Sequence, residues 1–188
     1  MWPILAASLL ALTVALERVA FVVLEAVRRN PSQVRGIISE VERGDMDSAL
    51  KLGENSRDFV ARALVHALAH RANFSEAMLA AASLELRRYS RGLAVLDTII
   101  TLAPLLGLLG TVTGMIRSFG MLGGTELGAP TAITGGIAEA LLATAFGLGV
   151  AITALLPFNF VNAREEKARL DLQDAASRVE LLLKEEVR

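Results

Sequence analysis

The feature that most limits what this chain can fold into is an apolar stretch, residues 131–163, whose only ionisable side chain is Glu139. A helix needs about 20 apolar residues to cross a hydrocarbon core about 30 Å thick, so this stretch is long enough to span a membrane. A carboxylate inside a span costs roughly 3 kcal/mol on insertion scales and therefore usually faces protein or water and has a function. Glu139 is the first candidate functional residue.

Two further apolar runs are long enough to span. Residues 1–16 carry no charge and lead through the pair Glu17–Arg18 into more apolar sequence, and residues 98–116 are 19 uncharged positions in a row. No Lys or Arg precedes Arg18, whereas a signal peptide begins with a basic segment. We therefore expect an uncleaved first transmembrane helix, with Glu17 and Arg18 at its inner boundary.

Composition agrees with a membrane protein and excludes several function classes. A hydrophobic content of 53% and a mean hydropathy of +0.49 are high for a soluble domain of 188 residues. The absence of cysteine rules out disulfides, thiol catalysis and Cys-ligated zinc. An isoelectric point near 6.2 and the lack of a recognised module argue against nucleic-acid binding.

Between the first two spans the chain is polar and rich in helix signals. Asn30 is a predicted N-cap followed by Pro31 at the first helical position, and Gly44 is a predicted stop. Ser75 is predicted to cap a helix that continues without a breaker to Gly120, with a kink at Pro104. Such a helix has 46 residues and a length of about 69 Å.

The distribution of basic residues predicts the orientation. Twelve Lys and Arg lie in 18–91, six lie in 164–188, and Arg117 alone lies near the short second connection. Basic residues next to spans stay cytoplasmic, so the N-terminus is predicted outside and the C-terminus inside. The predicted segments are a first transmembrane helix 1–27, a cytoplasmic helical loop 28–96, a second transmembrane helix 97–121, a periplasmic loop 122–130, a third transmembrane helix 131–163 and a cytoplasmic helical tail 164–188.

The fold prediction is therefore an all-α membrane protein with three transmembrane helices, of which the second and third extend into the cytoplasm. Small residues four positions apart allow close helix packing in membranes. Both later spans carry such pairs, a pattern common to membrane proteins of every function. The predicted packing residues are Gly110, Gly114, Gly136, Ala140, Ala143 and Gly147.

Polar side chains inside these two spans suggest an ion pathway. At 1.5 Å per residue, Thr111 and Glu139 lie at similar depths on antiparallel helices. Thr144 lies about 7.5 Å further in than Glu139 and about 140° round the helix, so the two do not share one narrow face. A pore built from several subunits could still expose both, which would suit protons or small cations.

Two motifs in these spans resemble a known family. APLLGLLGTVTGMIRSF (103–119) and GIAEALLATAFGLGVAI (136–152) are similar to the ExbB/TolQ/MotA proton-channel family, most of all its ExbB and TolQ branch. LERV (16–19) also resembles the end of the family's first span. MotA-type stators have four spans, whereas this sequence has three. Many ExbB proteins carry a long periplasmic extension before the first span that this sequence lacks, so the choice between ExbB and TolQ stays open.

The resemblance implies a function, a location and a set of partners. It implies an inner-membrane pentamer around single-span ExbD- or TolR-like helices that each bear an intramembrane aspartate. Proton flow would drive movement that is passed to a TonB- or TolA-like protein, without a bound cofactor. Carried over by position, the family's intramembrane glutamate is Glu139, its third-span threonine is Thr144 and its second-span threonine is Thr111.

Several of these polar side chains also have a purely structural interpretation. Threonines in membrane helices often bond back to their own backbone, which would account for Thr111 and Thr144 without an ion pathway. Arg87, Arg88 and Arg91 precede the second span and are predicted to anchor it at the membrane surface, where they can also bind anionic lipids.

His66 and His70 have i, i+4 spacing, but no third ligand is evident, so no metal site is predicted.

Two other classes of function compete with a proton channel. One is a non-conducting membrane scaffold in which Glu139 serves assembly only. The other is an intramembrane enzyme, which lacks support because the sequence has no cysteine, no Gly-x-Ser-x-Gly elbow and no histidine inside a span.

Overall fold

The structure, a computed structural model, describes residues 2–120 and 130–186. Within these ranges the chain forms helices and no strand. The α-helices are α1 (Trp2–Arg28), α2 (Pro31–Glu42), α3 (Met46–Gly53), α4 (Phe59–Ala69), α5 (Phe74–Ser90), α6 (Leu93–Gly120) and α7 (Pro130–Glu186), with a 3₁₀ turn at Arg71–Asn73.

The predicted all-α membrane fold is confirmed. Three helical stretches are long and apolar enough to cross a membrane, namely Trp2–Arg28, Arg71–Gly120 and Thr134–Lys184. Their apolar windows are mostly unburied within the single chain, as expected of helices that face lipid or other subunits. The predicted loop 122–130 lies, up to residue 129, outside the described residues.

The chain divides into two compact units. The apolar unit comprises Met1–Val19 and Gly92–Phe160, and the charged unit comprises Ala20–Arg91 and Val161–Arg188. In the apolar unit the buried positions are mainly small residues on α1, α6 and α7. In the charged unit, α2 to α5 and the last part of α7 enclose a core that includes Ile37, Leu64, Leu172 and Val179.

Local signals explain several helix ends. The Asn30 side chain accepts a hydrogen bond from the Gln33 backbone N–H, and Pro31 occupies the first turn of α2, as predicted. After α2 ends, Gly44 adopts a φ of 77°, which only glycine adopts readily, so the predicted stop at Gly44 is confirmed.

The predicted helix from Ser75 to Gly120 is wrong in two respects. α5 begins at Phe74 rather than after a Ser75 cap, and its N-cap residue Asn73 makes no side-chain capping bond. The helix also stops at Ser90, and Gly92 takes a φ of 79° before α6 begins. A left-handed glycine is the usual way to end a helix, so α5 and α6 are separate helices.

α6 continues through Pro104 and α7 continues through Pro157. The boundary predicted between a third span and a tail, at residues 163 and 164, falls inside α7, which is one helix of 57 residues.

Candidate functional site

The candidate site lies where α6 and α7 pack against each other through small residues. A Cβ placed on Gly110 would lie 2.7 Å from the Ala143 Cβ, and one placed on Gly114 would lie 2.7 Å from the Ala140 Cβ. Residue numbers fall along α7 as they rise along α6, so the two helices run antiparallel. Only glycine permits this separation, since real Cβ contacts do not approach so closely.

The two backbones meet most closely at Gly107 and Gly147. A Cβ on Gly147 would lie 2.5 Å from the Ala103 carbonyl oxygen and 3.1 Å from the Gly107 Cα. At this level the Thr144 hydroxyl donates a hydrogen bond of 3.0 Å to the Gly107 carbonyl oxygen. Thr144 therefore links the two helices rather than bonding back to its own, and Gly107 is a packing residue that sequence analysis missed.

Glu139 lies on the wall of a cavity of about 330 Å³ between α6 and α7. In the single chain its side chain is exposed, because the neighbouring positions on both helices are small. The cavity is lined by Gly110, Thr113, Gly114, Arg117, Ser118, Gly136, Glu139, Ala140 and Ala143.

The two predicted threonines do not line this cavity. The Thr111 hydroxyl donates to the Leu108 carbonyl oxygen of its own helix at 2.7 Å, and Thr144 is held by Gly107. The cavity contains Thr113 instead, whose hydroxyl donates to the Leu109 carbonyl oxygen at 2.9 Å.

Thr113 and Arg117 were not predicted as site residues, although their spacing from the small-residue pair Gly110 and Gly114 indicates that they lie beside it. They lie three residues after Gly110 and Gly114, so on a helix they flank the same stripe.

The predicted anchor arginines have different surroundings. Arg88 pairs with Glu85 at 2.9 Å, and its guanidinium lies 5.7 Å from the Phe21 ring centroid. The side chains of Arg87 and Arg91 are exposed.

His66 and His70 have ring centroids 5.1 Å apart, and His70 Nδ1 lies 3.0 Å from the His66 carbonyl oxygen. In the described part of the chain no third metal-ligating side chain joins them.

A buried ionic cluster in the charged unit escaped sequence analysis. Asp58 caps α4 by accepting hydrogen bonds from the Val60 and Ala61 N–H groups, and it also accepts from Arg29 at 2.6 Å. Arg29 donates in addition to Asp171 of α7 at 2.7 Å. Burial disfavours the charged form of Arg29, but the bonds to these two carboxylates outweigh it and raise the pKa of Arg29.

A second cluster surrounds Glu25, which is 2% exposed. Its carboxylate lies 3.6 Å from an Arg62 nitrogen, and Arg62 also binds Glu85 at 2.8 Å. The hydrogen bonds to Glu85 raise the pKa of Arg62, which keeps it charged beside Glu25. In the sequence Glu25 lies in an otherwise apolar run, and its pairing is not predictable there because neither Arg62 nor Glu85 is near it in the chain.

Comparisons with known proteins show which family the chain is similar to. Residues 52–174 match the model of the MotA/TolQ/ExbB proton channel family. The biopolymer transport protein ExbB-like 1 of Synechocystis is 38% identical over 98% of this chain and 75% of its own length. ExbB-like 3 of the same organism is 34% identical over 96% of this chain and 88% of its own length.

A relative from the other branch matches a shorter part. The Tol-Pal system protein TolQ of Pseudomonas aeruginosa is 39% identical over 49% of this chain and 40% of its own length. The family match covers well over half of the chain and includes both α6 and the membrane part of α7. On the strength of the family match and of these relatives, the chain belongs to the MotA/TolQ/ExbB proton channel family.

Proposed function

We propose that this chain is the proton-channel subunit of an inner-membrane energy-coupling complex of the ExbB–ExbD–TonB type, which uses the proton motive force to drive TonB-dependent transport across an outer membrane. The observation that carries the proposal is the placement of Glu139, the one ionisable group between Glu126 and Arg164, on the wall of the α6–α7 cavity. The names of the relatives, biopolymer transport proteins of the ExbB type, support the ExbB branch.

In this mechanism Glu139 is the group that takes up and releases the proton. Desolvation disfavours a charged carboxylate, so protonation removes most of the cost of moving this side chain along an apolar surface. A change of protonation therefore changes which neighbouring surface Glu139 favours. That change can be converted into movement of a partner helix relative to this one.

Thr111 and Thr144 have supporting roles in the proposal. Each hydroxyl donates a hydrogen bond to a backbone carbonyl oxygen. Its own oxygen therefore still has lone pairs that can accept hydrogen bonds. These oxygens can receive a bond from water or from a protonated partner carboxyl. Thr144 in addition holds α6 and α7 at the spacing that forms the cavity.

The proposed assembly follows the family. It is a homopentamer around an ExbD- or TolR-like single-span protein with an intramembrane aspartate, and it passes work to a TonB- or TolA-like protein. The excess of basic residues in 18–91 and 164–188 supports a periplasmic N-terminus and a cytoplasmic C-terminus. The exposed Arg87 and Arg91 are placed to meet lipid headgroups.

Proton flux into liposomes tests the role of Glu139. The complex, co-purified with its single-span partner, is reconstituted with a pH-sensitive dye inside, and Glu139→Ala and Glu139→Gln are compared with the native chain. We expect both variants to fall to the leak of empty liposomes. Glu166→Gln is the matched control, because Glu166 is an exposed carboxylate on the same helix, and it should conduct normally.

The same preparations separate a channel from a scaffold. Native mass spectrometry reports whether each Glu139 variant still assembles with its partner. A variant that assembles but does not conduct supports the channel, whereas undiminished flux through an assembled Glu139→Ala complex contradicts it. Loss of assembly in both variants, with normal flux in neither, would favour the scaffold.

The second candidate is a TolQ-type subunit that serves envelope integrity, and the similarity to TolQ of Pseudomonas aeruginosa is the observation that favours it. Co-expression with an ExbD-like and a TolR-like partner in competition distinguishes the two. Preferential capture of the TolR-like protein would assign the chain to the Tol-Pal system.

A further inference from the structure

Arg117 shares the cavity of Glu139, and the proposed mechanism gives it no role. It lies on α6 one helical turn beyond Thr113, while Glu139 approaches from α7. A guanidinium is charged at every pH at which a protein is folded. The cavity therefore contains one fixed positive charge and one carboxylate.

These two side chains do not form an ion pair in the described part of the chain, since no nitrogen of Arg117 comes within 4.0 Å of a Glu139 oxygen. They line one cavity without neutralising each other by contact. An ion that enters the cavity meets the field of both charges, and unlike the carboxylate the guanidinium cannot lose its charge.

The remaining lining offers a metal cation a few weak oxygen ligands, so it does not exclude sodium by itself. Among the described residues, the side-chain oxygens of the lining besides those of Glu139 are the hydroxyls of Thr113 and Ser118, which donate to carbonyls of α6 and keep lone pairs that can coordinate a cation. Apart from Arg117, the other lining residues are glycines and alanines. Selective metal-ion sites replace the hydration shell with several oxygens, whereas a proton needs only one.

We propose that Arg117 determines ion selectivity at this site: its fixed positive charge keeps sodium and other metal cations out of the cavity, while Glu139 still exchanges protons. The inference rests on the proposed function, because it assigns the ion that the Glu139 pathway carries. It makes the charge of residue 117, rather than the size or shape of its side chain, the deciding property.

Competition between sodium and protons tests this in the reconstituted complex. Proton flux is measured in sodium chloride and in choline chloride for the native chain, Arg117→Gln and Arg117→Lys, and uptake of radioactive sodium is measured in parallel. We expect the native chain and Arg117→Lys to be insensitive to sodium. In Arg117→Gln the sodium concentration in the cavity should be about tenfold higher than in the native chain. Sodium chloride should therefore reduce the proton flux of this variant, and radioactive sodium should enter the liposomes.

A second variant keeps the test decisive if Arg117→Gln assembles poorly. The chain has no cysteine, so Arg117→Cys can be assembled with a cysteine-free partner and modified afterwards. An aminoethyl thiosulfonate restores a positive charge, and a methyl thiosulfonate adds a neutral group. The charged reagent should remove the sensitivity to sodium, and the neutral reagent should not.

The outcomes also separate this inference from the proposed function. The role of Arg117 is overturned if proton flux requires Glu139 and sodium affects none of the Arg117 variants. The proposed channel function would still stand in that case. Equal rescue by the charged and neutral reagents overturns it as well, because charge is then not the cause. A native complex that conducts no protons contradicts the proposed function, and the selectivity role is lost with it.

Discussion

At the scale of single residues, three carboxylates of this chain occupy poorly hydrated positions, and each has different surroundings. Glu139 lies on a cavity wall without an ion-pair partner among the described residues, Glu25 is enclosed beside Arg62, and Asp58 accepts several hydrogen bonds. Only Glu139 could be recognised from the sequence, because its isolation in an apolar run is visible there. Arg62 and Arg29, which pair with Glu25 and Asp58, come from distant segments, so these ion pairs depend on the folded chain.

Asp58→Ala should destabilise the charged unit strongly. Asp58 is 1% exposed and accepts bonds from the Arg29 guanidinium and from the N–H groups of Asn30 and Val60. Removal of one member of a buried ion pair leaves the other members unsatisfied, at a cost on the order of 3 kcal/mol. The midpoint of denaturant unfolding in detergent, followed by helical circular dichroism, measures this loss.

Asp174→Ala is the control for that substitution. Asp174 also pairs with an arginine, Arg178, at 3.0 Å, but its side chain is 65% exposed. Exposed pairs of this kind contribute less than about 1 kcal/mol. Similar losses for Asp58→Ala and Asp174→Ala would show that burial of the Asp58 cluster does not matter.

At the scale of helices, the sequence predicted elements well where a single residue carries the signal. Asn30, Pro31 and Gly44 set the ends of α2 as expected, because caps and left-handed glycines act locally. The break at Gly92 was missed, because the helical pattern continues on both sides of this glycine and a single glycine is often tolerated inside a helix. Gly92 has a left-handed φ of 79°, which favours glycine, and a Cβ there would lie 3.2 Å from a Val14 methyl group.

The candidate site was predictable in part for the same reason. Glu139 and the small-residue stripes are local features of α6 and α7 and were found. The choice of Thr113 and Arg117 over Thr111 as its cavity neighbours depends on how the two helices are rotated against each other. That rotation is set by Gly107 and the other contact glycines, which periodicity alone does not rank.

Gly147→Ala should force α6 and α7 apart. The new methyl group would meet the Ala103 carbonyl oxygen at 2.5 Å and the backbone of Gly107, and backbone atoms cannot rotate out of the way. Overpacking of this kind costs roughly 1–3 kcal/mol. We expect a lower thermal midpoint in detergent and lower proton flux, because the Thr144 bond to Gly107 is lost with the spacing.

Gly149→Ala makes the same chemical change on the same helix, two residues away. A Cβ at Gly149 has nothing within 4 Å in the described part of the chain, and alanine favours helix over glycine by about 1 kcal/mol. Its thermal midpoint should therefore be unchanged or higher. An equal decrease for both glycines would contradict the assignment of Gly147 to the α6–α7 contact.

At the scale of the whole molecule, the order of apolar and basic segments along the chain favours one orientation of the spans in the membrane. In the proposed topology three crossings put the two termini on opposite sides of the membrane, and the positive residues in 18–91 and 164–188 favour one and the same side for both segments. Arg117 is the one basic residue near the opposite connection. The proposed orientation therefore places the Arg117 end of the Glu139 cavity toward the periplasm.

Single cysteines test this orientation directly, because the native chain has none. Thr125→Cys, in the predicted periplasmic loop, should react with a membrane-impermeant maleimide in intact spheroplasts. Lys51→Cys and Ser177→Cys, both at exposed positions of the charged unit, should react only after the membrane is permeabilised. The reverse pattern would turn the Arg117 end of the cavity toward the cytoplasm. A proton driven inward by the membrane potential would then meet Glu139 before Arg117, so this orientation is a condition for Arg117 to select the entering ion.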